Sequence, residues 1–172
     1  MNRCGPTWYS GAEALPAGTL AHYSNAQALK KVVRAGVLLP HKTRAIERHA
    51  LIWASTNPVW EPGALRLFSP VAGVHAVNFE MQASLRGGPA RLLLAQEACP
   101  LDIRGILHTL GPEACAHITP AQRRTILATV QGVWWGSTAP IGEEWWIRVE
   151  LWRGHRWVFP PSSWLDEGGE AA

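Results

Sequence analysis

Two short stretches of the chain carry side chains of the types that bind nucleotides. The first is His22-Tyr23-Ser24, at the end of a short apolar run, and the second is WASTN at 53–57. Histidine and hydroxyl groups suit the hydroxyls of a sugar, and an aromatic ring suits a stacked base. These types would suit two walls of one pocket, although by themselves they do not favour a pocket over packing in the core; the candidate binding residues are His22, Tyr23, Ser24, Trp53, Ser55, Thr56 and Asn57. Packing at the edge of a core is the alternative interpretation.

A basic segment, HKTRAIERH at 41–49, separates the two stretches. Its cations, Arg44 and Arg48 among them, could neutralise the phosphates of a nucleotide. A strand end followed by a helix start also places backbone N–H groups on one rim, which suits an anionic ligand. A solvated polar loop explains the same residues without a ligand.

The strands and helices that would position these side chains are predicted from the spacing of apolar residues and from the residues that begin or end each element. LAHYS at 20–24 reads as a strand, and Ser24 or Asn25 can cap the helix that follows. Gly36 should end that helix, because glycine tolerates a positive φ. ALIWAST at 50–56 reads as a second strand, since it is rich in β-branched and aromatic residues.

The rest of the chain continues as strands, then helices, then strands. We predict strands at 74–81, 90–95, 133–139, 145–152 and 155–159, and helices at 101–111 and 119–132. This order predicts an α+β fold in a single compact domain over residues 19–172, preceded by an N-terminal arm over residues 1–18.

The alternation of side chains along a strand predicts the face of the sheet for residues in two segments. Tyr23 should lie on the face opposite His22, so one of the two should pack in the interior. In WWIRVELW, residues 146, 148, 150 and 152 should share one face. Arg148 and Glu150 then predict a half-buried strand with a polar outer face.

Composition excludes several classes of protein. The 172 residues are 47% hydrophobic and 17% charged, which suits one folded domain and argues against global disorder. No apolar run is long enough to span a membrane, and three cysteines at irregular spacing favour a reducing, cytoplasmic environment. Cys99, Cys115 and His117 match no zinc pattern, so we expect no metal. The charge of +3 allows an anionic ligand or a nucleic acid partner.

The C-terminal part is unusually rich in tryptophan. Seven of the ten tryptophans follow residue 130. They could build the core of a small domain, stack on a planar ligand, or form an apolar face that docks a protein partner.

The combined pattern resembles the ADP-ribosyltransferase superfamily, and within it a bacterial and phage group. The segments that carry the resemblance are LAHYSNAQALKKVVRAGVLLP, ALIWASTNPVWEPGA and VWWGSTAPIGEEWWIRVELWRGHRWV, which cover most of residues 20–158. The resemblance implies an ADP-ribosyltransferase-like domain with a split antiparallel β-sheet core and flanking helices. It further implies a toxin-like transferase that uses NAD as substrate and modifies a protein or nucleic acid.

The resemblance also implies roles for individual residues. His22 would bind the nicotinamide ribose, with Tyr23 as its neighbour, while Trp53, Ser55 and Thr56 would form the nicotinamide side of the pocket. The basic loop at 41–49 would lie over the pyrophosphate.

The catalytic carboxylate is where the chain departs from the family pattern. Val133 or Trp134 falls where a Glu is expected. The nearest carboxylates are Glu143, Glu144 and Glu150, and Glu61 lies beside the second strand and could reach the pocket; Glu144 and Glu61 are the candidates for the catalytic role. Without a carboxylate, the positive charge that develops on the ribose would lose electrostatic stabilisation. Three hypotheses follow: an ADP-ribosyltransferase, a catalytically silent module that binds NAD, ADP-ribose or a related signalling nucleotide, and a domain that docks a protein through its tryptophans.

Overall fold

The computed structural model describes residues 14–41, 50–58, 67–68, 75–76, 87–117, 134–154 and 156–166. The strands in these ranges are β1 (Thr19–Asn25), β2 (Val37–Leu38), β3 (Ile52–Ser55), β4 (Leu67–Phe68), β5 (His75–Ala76), β6 (Pro89–Ala95), β7 (Leu101–Asp102), β8 (Trp134–Ser137), β9 (Ile141–Gly142), β10 (Trp146–Trp152) and β11 (Trp157–Val158). The helices are α1 (Ala26–Ala35) and α2 (Ile103–His117), and 3-10 turns span Gln96–Ala98, Glu143–Trp145 and Ser162–Leu165.

A seven-stranded antiparallel sheet organises the described part of the chain. Its strand order is β11-β10-β6-β1-β3-β8-β7, so β1 lies between β6 and β3. Two-stranded antiparallel pairs form between β2 and β9 and between β4 and β5. The described residues therefore form a mixed α/β fold with an antiparallel sheet and two helices.

One side of the large sheet, here called the first face, is covered by α1 and by the β2–β9 pair. Leu20 and Leu92 on this face share a buried cluster with Leu29 of α1. Leu38 of β2 and Ile141 of β9 belong to the same cluster. Burial of these aliphatic side chains is what fixes this layer on the sheet.

The opposite side, here called the second face, is covered in two halves. Over β3 and β8, Ile106 of α2 packs with Leu51 and Trp53. A Cβ added to Gly136 would lie 3.0 Å from Ile106 Cδ1, so glycine is what lets α2 approach the sheet. Over β1, β6 and β10, the cover is a cluster of Ala21, Tyr23, Leu93, Trp152 and Trp157.

The predicted start and end of the first helix are confirmed. Asn25 is the N-cap of α1, and its side-chain oxygen accepts a hydrogen bond from the Ala28 backbone N–H at 2.9 Å. Gly36 follows the helix in the left-handed region, at φ 68°. Gly154, at φ 70°, lies in the predicted turn between β10 and β11.

Two predictions for the later elements need correction. Leu101 and Asp102 begin the predicted helix at 101–111 but form β7, because β8 offers them a pairing partner. The first helical segment then starts at Ile103 and ends at Gly111, which is non-helical at φ 73°, as the predicted end requires; a second helical segment follows the kink and runs to His117. A hydrophobic pattern does not reveal such a partner strand.

The prediction for WWIRVELW is also partly wrong. A bulge between Trp146 and Arg148 puts Trp146 against the first-face core instead of beside Arg148. Glu150 is 5% exposed, so the face that carries it is an interior face. The reason is the position of β10 inside the sheet, between β6 and β11, where Glu150 pairs with Arg91 of β6.

Several predicted elements fall wholly or partly outside the described residues: the basic loop at 41–49, most of the strand at 74–81, the helix at 119–132 and most of the arm at 1–18. In the described part of the arm, Leu15 packs against the second-face cluster that contains Ala21 and Tyr23, and Gly18 O accepts a hydrogen bond from Gln96 N. No helix among the described residues has the length and apolar character needed to cross a membrane.

Candidate functional site

The imidazole of His22 lies on the first face, at the junction of β1 and β3. His22 pairs directly with Leu92 in the antiparallel ladder, and Leu92 is in the first-face core, so both side chains point to that face. The ring is half-buried, and its Nδ1 lies 2.8 Å from Trp53 O. A carbonyl oxygen only accepts, so Nδ1 is the nitrogen that donates in this bond.

Tyr23 lies on the second face, as alternation predicts. Its side chain is 8% exposed, and its hydroxyl donates a hydrogen bond to Asn57 O. Its ring lies 6.0 Å from the Trp157 ring, measured between centroids. Of the neighbouring pair, Tyr23 therefore packs in the interior, while His22 stays partly accessible.

The turn at residues 55–58 follows directly on β3 and is closed by its own side chains. Ser55 is fully buried, and its Oγ accepts a hydrogen bond from Asn57 N at 2.9 Å. Thr56 is exposed, while Asn57 is half-buried. The structure thus brings the backbone of β3 beside His22, through the Trp53 carbonyl. The Trp53 ring packs with Ile106 on the second face, and Ser55 pairs with Ala21 of the second-face cluster, so neither of these predicted pocket side chains faces His22. Ser24, also predicted, is half-buried one residue before the helix cap.

A buried ion pair under the second face was not among the predicted site residues. Arg91 and Glu150 are each 5% exposed, and Arg91 Nε donates to Glu150 Oε2 at 2.5 Å. Arg91 Nη1 donates to Pro58 O, and its guanidinium carbon lies 4.4 Å from the centre of the Trp157 ring. Arg148 Nε forms a second ion pair with Glu150 Oε1 at 2.8 Å, although not with hydrogen-bond geometry.

One sequence signal could have identified this pair. Arg91 is the single charged residue in PARLLLA at 89–95, a run otherwise apolar enough to be buried on both faces. A charge in such a strand requires a buried counter-charge, and Glu150 in another apolar strand is a candidate. Hydrophobic periodicity does not predict the pairing of Arg91 with Glu150, because it does not show which strands lie at the centre of the sheet.

Glu144 and its neighbour Glu143 are exposed carboxylates in the turn after β9. The β2–β9 pair covers the first face, so both lie in the layer on the side to which His22 points. A Cβ added to Gly36 would lie 2.5 Å from Glu143 Oε1, and one added to Gly142 would collide with the Glu144 carboxylate. Both carboxylates are therefore folded close to glycine backbone.

The other acidic candidates have different outcomes. Glu150, on the late strand, points to the second face and is held by Arg91, so it does not face His22. Trp134, at a position where the family pattern has Glu, contacts Trp53 edge-on at 5.8 Å between ring centroids. Glu61 lies outside the described residues, as do Arg44 and Arg48.

Most described tryptophans of the C-terminal part contribute to packing. Trp152 and Trp164 are buried, and Trp135 and Trp146 pack against the first-face core. Trp145 is 40% exposed. A docking face made of tryptophan would therefore depend mainly on Trp145.

A surface depression of about 240 Å³ lies beside the 55–58 turn. It is lined by residues 14–19 together with Thr56, Pro58 and Gln96. Pockets that hold drug-sized ligands measure roughly 300–1,000 Å³. The depression is therefore smaller than a typical site for a drug-sized ligand.

Cysteine and metal chemistry have little support in the described residues. Cys99 is a free, fully buried cysteine, and burial raises the pKa of its thiol to about 12. A thiol that stays protonated at neutral pH is a poor nucleophile. Within the described ranges, no group of three or more His, Cys, Asp or Glu side chains could hold a metal ion.

Comparison with known proteins adds no relative to this description. No protein-family model, no curated protein and no solved structure matches the chain. The resemblance to ADP-ribosyltransferases therefore stays a prediction that depends on residues quoted from the sequence.

Proposed function

We propose that this chain binds NAD on the first face of its sheet, between β1 and β3, and acts as an ADP-ribosyltransferase. One observation carries the proposal: the two strands that the sequence pattern pairs as pocket walls are adjacent, and His22 is fixed to Trp53 O between them. A half-buried imidazole with one nitrogen fixed is preorganised for a polar ligand.

His22 would bind the ribose hydroxyls of NAD. The bond from Nδ1 to Trp53 O fixes the orientation of the ring, and a ring held in one orientation is preorganised to contact a ribose hydroxyl. The exposed Thr56 hydroxyl stands on the same strand connection and would contact the nicotinamide side.

A carboxylate of the turn after β9 would stabilise the transition state. In the proposed reaction the bond between ribose C1′ and the nicotinamide nitrogen breaks, and the electron pair leaves with nicotinamide. A nucleophile of the acceptor then bonds to C1′ and gives up its proton. Glu144 is the carboxylate proposed for this role, since it is exposed in the layer over the first face.

A silent nucleotide-binding module is the second candidate. It is favoured by the edge-on packing of Trp134 against Trp53 at a position where the family pattern has Glu. It is also favoured by the burial of Glu150 in an ion pair on the opposite face. Such a protein would sequester NAD or ADP-ribose without cleaving it.

Calorimetric titration with NAD and with ADP-ribose tests both candidates. We expect the wild-type chain to bind and His22→Ala to bind at least about tenfold more weakly, a loss of ~1.4 kcal/mol. His108→Ala is the matched control, because His108 is an exposed histidine on α2, which packs on the second face.

Nicotinamide release in the presence of cell lysate then separates the candidates. Release by wild type, and its loss in Glu144→Gln, supports the transferase. Binding with no release supports the silent module. If neither NAD nor ADP-ribose binds, both candidates are wrong.

A further inference from the structure

We infer that Tyr23, Arg91 and Glu150 act together as a tether that positions the 55–58 turn from the second face, without touching the ligand. This inference deepens the proposed function and depends on it for the identity of the ligand. The tether itself is defined by contacts that do not involve a ligand.

Two side chains from two strands hold consecutive carbonyls of the turn. Tyr23 of β1 donates its hydroxyl to Asn57 O, and Arg91 of β6 donates Nη1 to Pro58 O. The two residues are direct partners in the β1–β6 ladder, so they reach the turn side by side. The turn is thus fixed to the centre of the sheet and not only to its own strand, β3.

Glu150 fixes the direction of the Arg91 guanidinium. The carboxylate accepts from Nε at 2.5 Å, and the Trp157 ring lies 4.4 Å from the guanidinium carbon. These two contacts leave Nη1 directed at Pro58 O. Apolar residues at positions 91 and 150 would fill the same space equally well, because burying an ion pair brings a large desolvation penalty. The directed bond to the turn is a role that apolar residues do not fill.

The turn connects the tether to the proposed site. It begins at Ser55, two residues after Trp53, whose carbonyl anchors His22. It also presents Thr56 to solvent. Loosening the turn would therefore disturb the wall that the ligand contacts, although no side chain proposed to touch the ligand is substituted.

Tyr23→Phe and Arg91→Lys are the test variants. The first keeps the aromatic ring beside Trp157 and removes only the hydroxyl. The second keeps a positive charge beside Glu150 and removes the fork that reaches Pro58. Arg148→Lys is the matched control, since Arg148 also pairs with Glu150 but its side chain is 37% exposed.

Amide hydrogen exchange at Thr56 and Asn57 reports on the turn, and calorimetry reports on NAD binding. We expect each test variant to speed exchange and to weaken NAD binding by about threefold to tenfold, the range given by loss of one hydrogen bond. Exchange in the centre of β6 should stay slow in both, and Arg148→Lys should match wild type in both measurements.

The outcomes separate the two proposals. Unchanged exchange in Tyr23→Phe, or an equal change in Arg148→Lys, would overturn the tether. Faster exchange with unchanged NAD affinity would overturn its positioning role. If wild type binds no NAD, the proposed function fails, and the exchange data still decide whether the tether exists. If Arg91→Lys does not fold, Tyr23→Phe decides alone.

Discussion

The imidazole of His22 in β1 and the guanidinium of Arg91 in β6 point to opposite faces of the sheet, although their strands are paired. His22 points to the first face and bonds Trp53 O, while Arg91 points to the second and bonds Pro58 O. Both bonds end on the backbone of β3 or of the turn that follows it. Two polar side chains on opposite faces therefore fix the same short segment.

Cys99 gives a prediction at this scale that is independent of any ligand. Burial raises the pKa of its thiol from 9.0 to about 12. The exposed thiol of the unfolded chain ionises first as pH rises, so unfolding releases a proton between about pH 9 and pH 12. The contribution of this thiol to the free energy of unfolding should therefore be complete below pH 9. Above pH 9 the free energy of unfolding should fall, by at most about 1.4 kcal/mol per pH unit.

Denaturant titrations of wild type and Cys99→Ala between pH 8 and 10.5 check the prediction. Other groups also titrate in this range, so the difference in slope between the two proteins is the quantity to compare. Wild type should lose stability more steeply than Cys99→Ala above about pH 9. Parallel curves would show that the thiol is not buried in the folded state.

At the scale of elements, α1 shows what local chemistry predicts well. Asn25 and Gly36 bound the helix. Gly36 was predicted as its end and Asn25 as one of two possible caps, with Ser24 as the other, because capping depends on a few neighbouring atoms. The β7 strand and the bulge in β10 were not predicted. They depend on partner strands β8 and β6, which are distant in sequence.

Removal of the N-cap should destabilise the chain measurably. Asn25→Ala removes the acceptor for Ala28 N, and we expect a loss of about 0.5–2 kcal/mol in the free energy of unfolding. Asn25→Asp keeps an oxygen acceptor at the cap and should stay close to wild type. Urea denaturation followed by tryptophan fluorescence measures both. Equal losses in the two variants would mean that the cap bond contributes little.

At the scale of the whole molecule, the C-terminal segment joins the two faces of the sheet. Trp157 packs over Arg91 on the second face, while Trp164 is buried in the first-face core. Lys30 of α1 lies 5.4 Å from the centre of the Trp164 ring, and Arg34 donates to Leu165 O. Residues 157–165 therefore pass from one layer to the other and fix α1 against the sheet.

Trp164→Ala tests this connection, with Trp145→Ala as the matched control. Trp164 is 7% exposed and Trp145 is 40% exposed. We expect the first substitution to lower the free energy of unfolding by about 3–5 kcal/mol and the second by much less. Thermal denaturation of both variants measures the difference. Similar losses would mean that the C-terminal segment is not docked on α1.

Prediction from sequence was limited most by the arrangement of the large sheet. The strands β1, β3 and β6 follow from local patterns, and the resemblance implies that β1 and β3 wall one pocket. The placement of Trp53 and Ser55 on the face opposite His22 was not predicted. The placement of β6 between β1 and β10 does not follow from local patterns, since it joins residues about 60 apart, such as Arg91 and Glu150. The buried ion pair and the tether were missed for this reason, and Glu150 was assigned to a solvated face.

The most direct test of the account is the NMR signal of the His22 imidazole during titration with NAD. The chain contains seven histidines, and the His22 resonances in ¹⁵N-histidine-labelled protein are assigned by their loss in His22→Ala. We predict that NAD shifts the His22 Nε2 resonance in a saturable manner, while Nδ1 keeps the proton that it donates to Trp53 O and His108 is unaffected. Saturable NAD binding with no change at His22, or no binding at all, would contradict the account.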